Sequence, residues 1–138
     1  MATASHSIEI AADPAAVWDY VGDFNGLPRW HPGVAESKLE EGGKVRRLKL
    51  KNGGVNVERL LERDDARHIC RYSITESGLP VRQHAATIAV LGNERGSTVN
   101  WACEFESKGP PDAEIAAIFK QIFTAGLSNL QALLAGAR

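Results

Sequence analysis

Glu58, Tyr72 and His84 are a carboxylate, a phenol and an imidazole. Such groups can exchange protons when apolar surroundings raise a glutamate pKa toward that of histidine. They are far apart in the chain, so only strand pairing could bring them together. Pairing Lys51 with Val55 across the turn Asn52-Gly53-Gly54 sets Glu58 opposite Leu48 and Leu60 opposite Arg46. A turn from Arg63 to Arg67 then sets Glu58 opposite Tyr72, and pairing Ile74 with Arg82 sets Tyr72 opposite His84. On these registers Glu58, Tyr72 and His84 form one row across three adjacent strands, with Arg46 diagonal to Glu58. Three roles are open to the row: contact with a ligand, acid–base catalysis, or mutual satisfaction of buried polar groups through water and hydrogen bonds. A fourth possibility places Glu58 in solvent.

The same pairing gives an inner face. Gly92 opposite Ser97 brings Phe105 beside His84 and Trp101 beside Ile88. Arg46, Leu48, Leu60, Ile74, Ala86 and Ile88 then join the row, with Val90, Val99 and both cysteines. A slip of one residue would turn a strand over. Cys70 and Cys103 would flank Ala86 on strands about 10 Å apart, whereas a disulfide needs Cα atoms within roughly 7 Å. Two free, buried thiols are expected.

These residues must be held by a sheet and a helix. Asp112 to Gly136 carries Ile115, Ile118, Phe119, Ile122, Gly126, Leu130, Leu133 and Leu134 at helical spacings, after the stop Gly109-Pro110-Pro111. Such a helix is roughly 37 Å long at 1.5 Å per residue. Ser7 to Ala11 reads as a first strand. Asp13-Pro14 then opens a short helix with Val17, Trp18 and Val21, and Leu27 to His31 can form only a second short helix or turn. Six further strands are expected at 34–41, 44–51, 55–63, 67–76, 81–91 and 97–107. Seven strands at about 4.8 Å span roughly 34 Å, against about 10 Å for one helix. The sheet must curl around the helix, and that geometry leaves an internal space. Ile118, Phe119, Ile122, Phe123 and Gly126 are mid-helix and are expected to border it, Gly126 by providing room or a bend. Trp30, in Trp30-His31-Pro32, would plug one end of the space or line its entrance; packing is the commoner use of a large aromatic.

Composition excludes other classes. The chain has 138 residues, 43% apolar and 24% charged, with a formal net charge of −1. One domain over residues 1–138 is expected, without nucleic-acid binding or stable membrane insertion. The basic run Lys44, Arg46, Arg47, Lys49, Lys51 is followed at once by Glu58, Glu62, Asp64 and Asp65, so its field largely cancels. His6, His31, His68 and His84 share no metal-ligand spacing, and no motif calls for a metal or a cofactor. The first residues, Met1 to His6, lack the basic and apolar stretches of a signal peptide, so a cytoplasmic location is expected.

The sequence Pro14-x-x-Val17-Trp18, Trp30-His31-Pro32, Glu58-Arg59-Leu60-Leu61, Tyr72-x-Ile74, Leu79-Pro80-Val81, Val99-x-Trp101 and Gly126-Leu127-x-x-Leu130 resembles the bacterial polyketide cyclase/dehydrase-like branch of the START/Bet v 1-like (SRPBCC) superfamily. The likeness runs from Ser7 to Leu134. It implies an α+β helix-grip fold: a curved seven-stranded antiparallel sheet wrapped around a long C-terminal helix, with two short helices after the first strand. It also implies a cavity for hydrophobic molecules. Glu58-Arg59-Leu60 matches a pocket stretch of the plant hormone receptors in this superfamily, but Asn52-Gly53-Gly54 lacks their gate sequence, which argues against a hormone receptor. The expected function is binding or carriage of a small hydrophobic ligand, lipid, isoprenoid or aromatic, by a monomer or homodimer. The alternative is a cyclase, dehydratase or aromatase using Glu58, Tyr72 and His84.

Overall fold

A computed structural model describes residues 1–136; the last two residues of the expected domain span lie outside the described residues. Strands β1 (Ala2–Ile10), β2 (Val34–Glu40), β3 (Val45–Leu50), β4 (Val55–Asp64), β5 (Ile69–Glu76), β6 (Val81–Asn93) and β7 (Gly96–Ser107) form one antiparallel sheet. Its order is β1-β7-β6-β5-β4-β3-β2. Helix α1 (Pro14–Val21) and a single helical turn at Leu27–Arg29 carry the chain from one sheet edge to the other. Helix α2 (Asp112–Gly136) lies against the concave face, closest to β1 and β7. This is the expected helix-grip architecture.

The first strand begins at Ala2, five residues before its expected start at Ser7, and its register runs from Ala2↔Phe105 to Ile10↔Ser97. Ala2 and Ala4 point inward with side chains too small to stand out against the polar residues between them.

The β3–β4 register is displaced by two residues from expectation: Lys49, not Lys51, pairs with Val55. The turn itself is the cause. Leu50 N donates to Gly54 O at 2.8 Å and Gly53 N to Leu50 O at 3.0 Å, with Gly53 at φ 92° and Asn52 Oδ1 accepting from Gly54 N. Lys51 N is drawn off to Gly33 O at 3.0 Å. A two-residue slip keeps every side chain on its face, so the inner set survives. It also brings Arg46 directly opposite Glu58.

Bulges shift the next registers. Irregularities at Val57/Glu58 and Leu60/Glu62 set Glu58 opposite Ile74 and Leu60 opposite Tyr72. Tyr72 pairs with Ala86, not His84, and Cys70 pairs with Ile88, not Ala86. A further bulge lies between Arg82 and Ala85, with Gln83 at φ 50°. Bulges bend strands and increase twist, which suits a sheet that must wrap a helix. They also abolish the straight row. Ile88↔Trp101 and Gly92↔Ser97 pair as expected, and both cysteines are free and buried.

Candidate functional site

A cavity of about 650 Å³ lies between α2 and the strands β3, β4 and β5. That volume is in the range of pockets that enclose small organic ligands. Leu48, Tyr72, Trp101, Ile118 and Ile122 give it apolar walls, and Glu58 also lines it. Its rim is made by Lys51 to Val55 on one side and Ser77-Gly78-Leu79 on the other.

Arg46 stands behind Glu58 and does not line the cavity. Its Nε donates to Glu58 Oε1 at 2.9 Å, and its Nη2 lies 2.8 Å from the same oxygen. Nη1 donates to Phe24 O at 2.9 Å, and the guanidinium lies over the rings of Phe24 and Tyr72. Both side chains of the ion pair are almost fully buried. The pair is what allows a carboxylate to sit on an apolar wall at all, since an isolated buried charge would be far costlier.

Tyr72 and His84 lie near one another, 6.0 Å between ring centroids, but no hydrogen bond joins them or either of them to Glu58 among the described residues. Tyr72 Oη accepts from Trp101 Nε1 at 3.0 Å. Burial pushes its pKa upward, aided by the Glu58 charge, so the phenol keeps its proton. His84 Nδ1 accepts from Ile74 N at 3.0 Å, just beyond the point where the β5–β6 ladder ends at Tyr72↔Ala86. The imidazole thus supplies the acceptor a strand neighbour would have given. Burial lowers its pKa to about 4, which keeps it neutral.

The remaining expected contacts divide in two. Leu60 and Ile74 are half-buried beside the cavity wall without lining it, and Ala86 and Ile88 are buried in the sheet. Phe105, Phe119 and Phe123 pack solidly: Phe123 stacks on Trp101 at 4.5 Å, and Phe119 meets His84 at 5.3 Å and Phe105 at 5.2 Å. They fill space that was expected to border the ligand. Gly126 does not line the cavity either. A Cβ there would stand 2.5 Å from His31 Cδ2 and 3.0 Å from Trp30 Cζ3, so the glycine admits the Trp30-His31 loop against the helix. Trp30 itself is buried, 5.4 Å from Trp101, and its carbonyl accepts from Asn129 Nδ2. It is packing, not lining.

His31 is the polar residue that pattern reasoning missed. It lines the cavity, and its Nδ1 accepts from Gly33 N at 3.0 Å. Nε2 must then carry the proton it shares with Ile122 O at 2.8 Å. Burial lowers its pKa, and the nearby Arg46 charge adds to the effect. The unusual Trp30-His31-Pro32 tripeptide was the available signal. Leu27 and the rim residues carried none, because alternation says nothing about turns. Among the described residues no three His, Cys, Asp or Glu side chains gather as a metal would require. No described helix is long and apolar enough to cross a membrane.

Residues 1–135 match the family described as polyketide cyclase/dehydrase and lipid transport. The structure of XoxI from Bacillus cereus is 36% identical, with a TM-score of 0.95 over 98% of this chain and 96% of that one. A Thermobifida fusca protein solved by NMR is 31% identical, with a TM-score of 0.84 over 95% and 91%. A START superfamily protein from Mycobacterium smegmatis shares the fold at a TM-score of 0.81 and 14% identity, over the whole of both chains. No curated protein matches the sequence.

Proposed function

This chain belongs to the polyketide cyclase/dehydrase and lipid-transport family, and on that premise we propose that it binds and carries one small hydrophobic molecule, a lipid, isoprenoid or aromatic compound, between sheet and α2. The observation that carries the reading is the cavity of about 650 Å³, apolar on most of its wall and reached through a rim of two loops. Carriage needs apolar area to bury and a few polar groups to orient the guest. Both are present.

The arrangement favours carriage over acid–base turnover. Glu58 is committed to Arg46, His84 to the Ile74 amide, and Tyr72 to Trp101. A proton relay through the three would need hydrogen bonds among them, and none joins them among the described residues. Native mass spectrometry of freshly purified protein tests the reading. A co-purifying small molecule, released on denaturation, is the expected result. An empty protein that ignores a broad panel of fatty acids, isoprenoids and aromatics would overturn it.

A further inference from the structure

The cavity wall is chemically one-sided, and this identifies the head group it accepts. Glu58 Oε1 takes both contacts from Arg46, while Oε2 has no hydrogen-bond partner among the described residues. Yet no fully buried side-chain oxygen or nitrogen among them is left unsatisfied. Oε2 therefore keeps access to the cavity that Glu58 lines. Tyr72, opposite Leu60 and so diagonal to Glu58 on the same face, accepts from Trp101 but its own proton has no acceptor among the described residues. Glu58 and Tyr72 both line the cavity, so its wall carries one side chain with an unengaged acceptor and one with an unengaged donor.

No cation joins them. The Arg46 guanidinium is occupied by Glu58 and Phe24 O and lies over two aromatic rings, outside the lining. His31 lines the cavity in its neutral form, with both ring nitrogens engaged. Among the described lining residues the one cation is Lys51, at the exposed rim.

From this the geometry points to a neutral apolar ligand that ends in an alcohol or phenol hydroxyl, inserted hydroxyl-first. The hydroxyl donates to Glu58 Oε2 and can accept from Tyr72 Oη. A ligand carboxylate in that place would meet the Glu58 charge in a poorly solvated pocket, with no donor cation to offset it. An acid-headed amphiphile would be confined to a head-out pose at Lys51. A ligand ammonium would bring an extra charge into a poorly solvated pocket whose carboxylate is already neutralised by Arg46, at a desolvation cost that a neutral hydroxyl avoids.

This inference rests on the carrier reading, and its test separates the two. Calorimetry, supported by quenching of tryptophan fluorescence from Trp101 in the cavity wall, compares para-nonylphenol with its methyl ether and with para-nonylbenzoate. The three share a tail and differ only at the head. At about pH 7.5 the benzoate is ionised. The phenol should bind about tenfold or more tighter than either, as expected for a hydrogen bond to a charged acceptor. Binding of all three with equal strength would overturn the head-group assignment and leave the carrier reading standing. Failure of all three would count against the cavity as a binding site altogether. In the double variant Arg46→Met/Glu58→Leu, which leaves no unpaired buried charge, the phenol-to-ether ratio should collapse toward one while ether binding persists. A preference retained there would overturn the assignment. Should that variant not fold, the wild-type series decides alone.

Discussion

The two halves of the concave face belong to one sheet, yet they are filled differently. Toward β1 and β7, helix α2 lies close, and Phe105, Phe119, Phe123, Leu127 and Leu130 are buried nearly or fully to the last atom. Toward β3, β4 and β5, the helix offers only the edges of Ile118 and Ile122, and a cavity of about 650 Å³ remains. A single helix cannot cover a seven-stranded sheet, and the chain resolves the mismatch by packing one side densely and leaving the other hollow. The close-packed core and the hollow are therefore spatially separated. Each half should respond to substitution in its own way.

The largest effect is expected in the packed half. Phe123→Ala removes a ring stacked on Trp101 and 2% exposed. It should lower unfolding free energy by about 3–5 kcal/mol, because the sheet and helix around it cannot collapse into the void. Urea denaturation followed by far-UV circular dichroism gives the value. A loss below about 1 kcal/mol would mean that this side is not close-packed.

The packed half was also the more legible one. Ile115 to Leu134 recur with helical spacing, and Val99, Trp101, Cys103 and Phe105 alternate along one strand, so period alone finds them. Face assignment survived a wrong register at β3–β4 because the slip was two residues, the side-chain period of a strand. What period cannot find is a bulge. Nor can it find the length of a turn: the β5–β6 register sets Tyr72 opposite Ala86, so His84 falls out of line with Tyr72 and its imidazole meets the Ile74 amide. Gly126 provides room, but for the Trp30-His31 loop nearly a hundred residues earlier, and no local pattern records that neighbour. The rim of the cavity, from Lys51 to Val55 and from Ser77 to Leu79, is turn backbone whose sequence announces a turn but not what the turn faces.

His84 sits at the border between the halves, between Tyr72 of the cavity wall and Phe119 of the packed side. Its pKa is lowered from 6.5 to about 4, chiefly by burial. In the unfolded chain it titrates near 6.5, so between those values the unfolded state holds a proton that the folded state lacks. The stabilisation is then fully present above about pH 6.5 and is lost as pH falls toward about 4, by roughly 3 kcal/mol in total. His31, also lowered, acts in the same direction. His84→Asn keeps an acceptor for Ile74 N and removes the titration. Its denaturation midpoint should fall less between those pH values than that of the wild type. An unchanged pH slope would place the destabilising protonation elsewhere.

The smallest stability effect belongs to the hollow half. Ile118 is half-buried, with one side on the core and the other on the cavity. Atoms facing empty space have already forfeited their contacts on that side, so truncation removes less attraction than it would in a filled core. Ile118→Ala should lower stability by about 1 kcal/mol, at the low end for loss of a large aliphatic side chain. The same variant enlarges the cavity and removes apolar wall, so affinity for para-nonylphenol should change severalfold although folding barely does. Phe123→Ala should behave in the opposite sense, with a large loss of stability for little direct change in the ligand's contacts. Equal stability losses for the two would mean that the hollow half closes up in solution and that the wall at Ile118 is core after all.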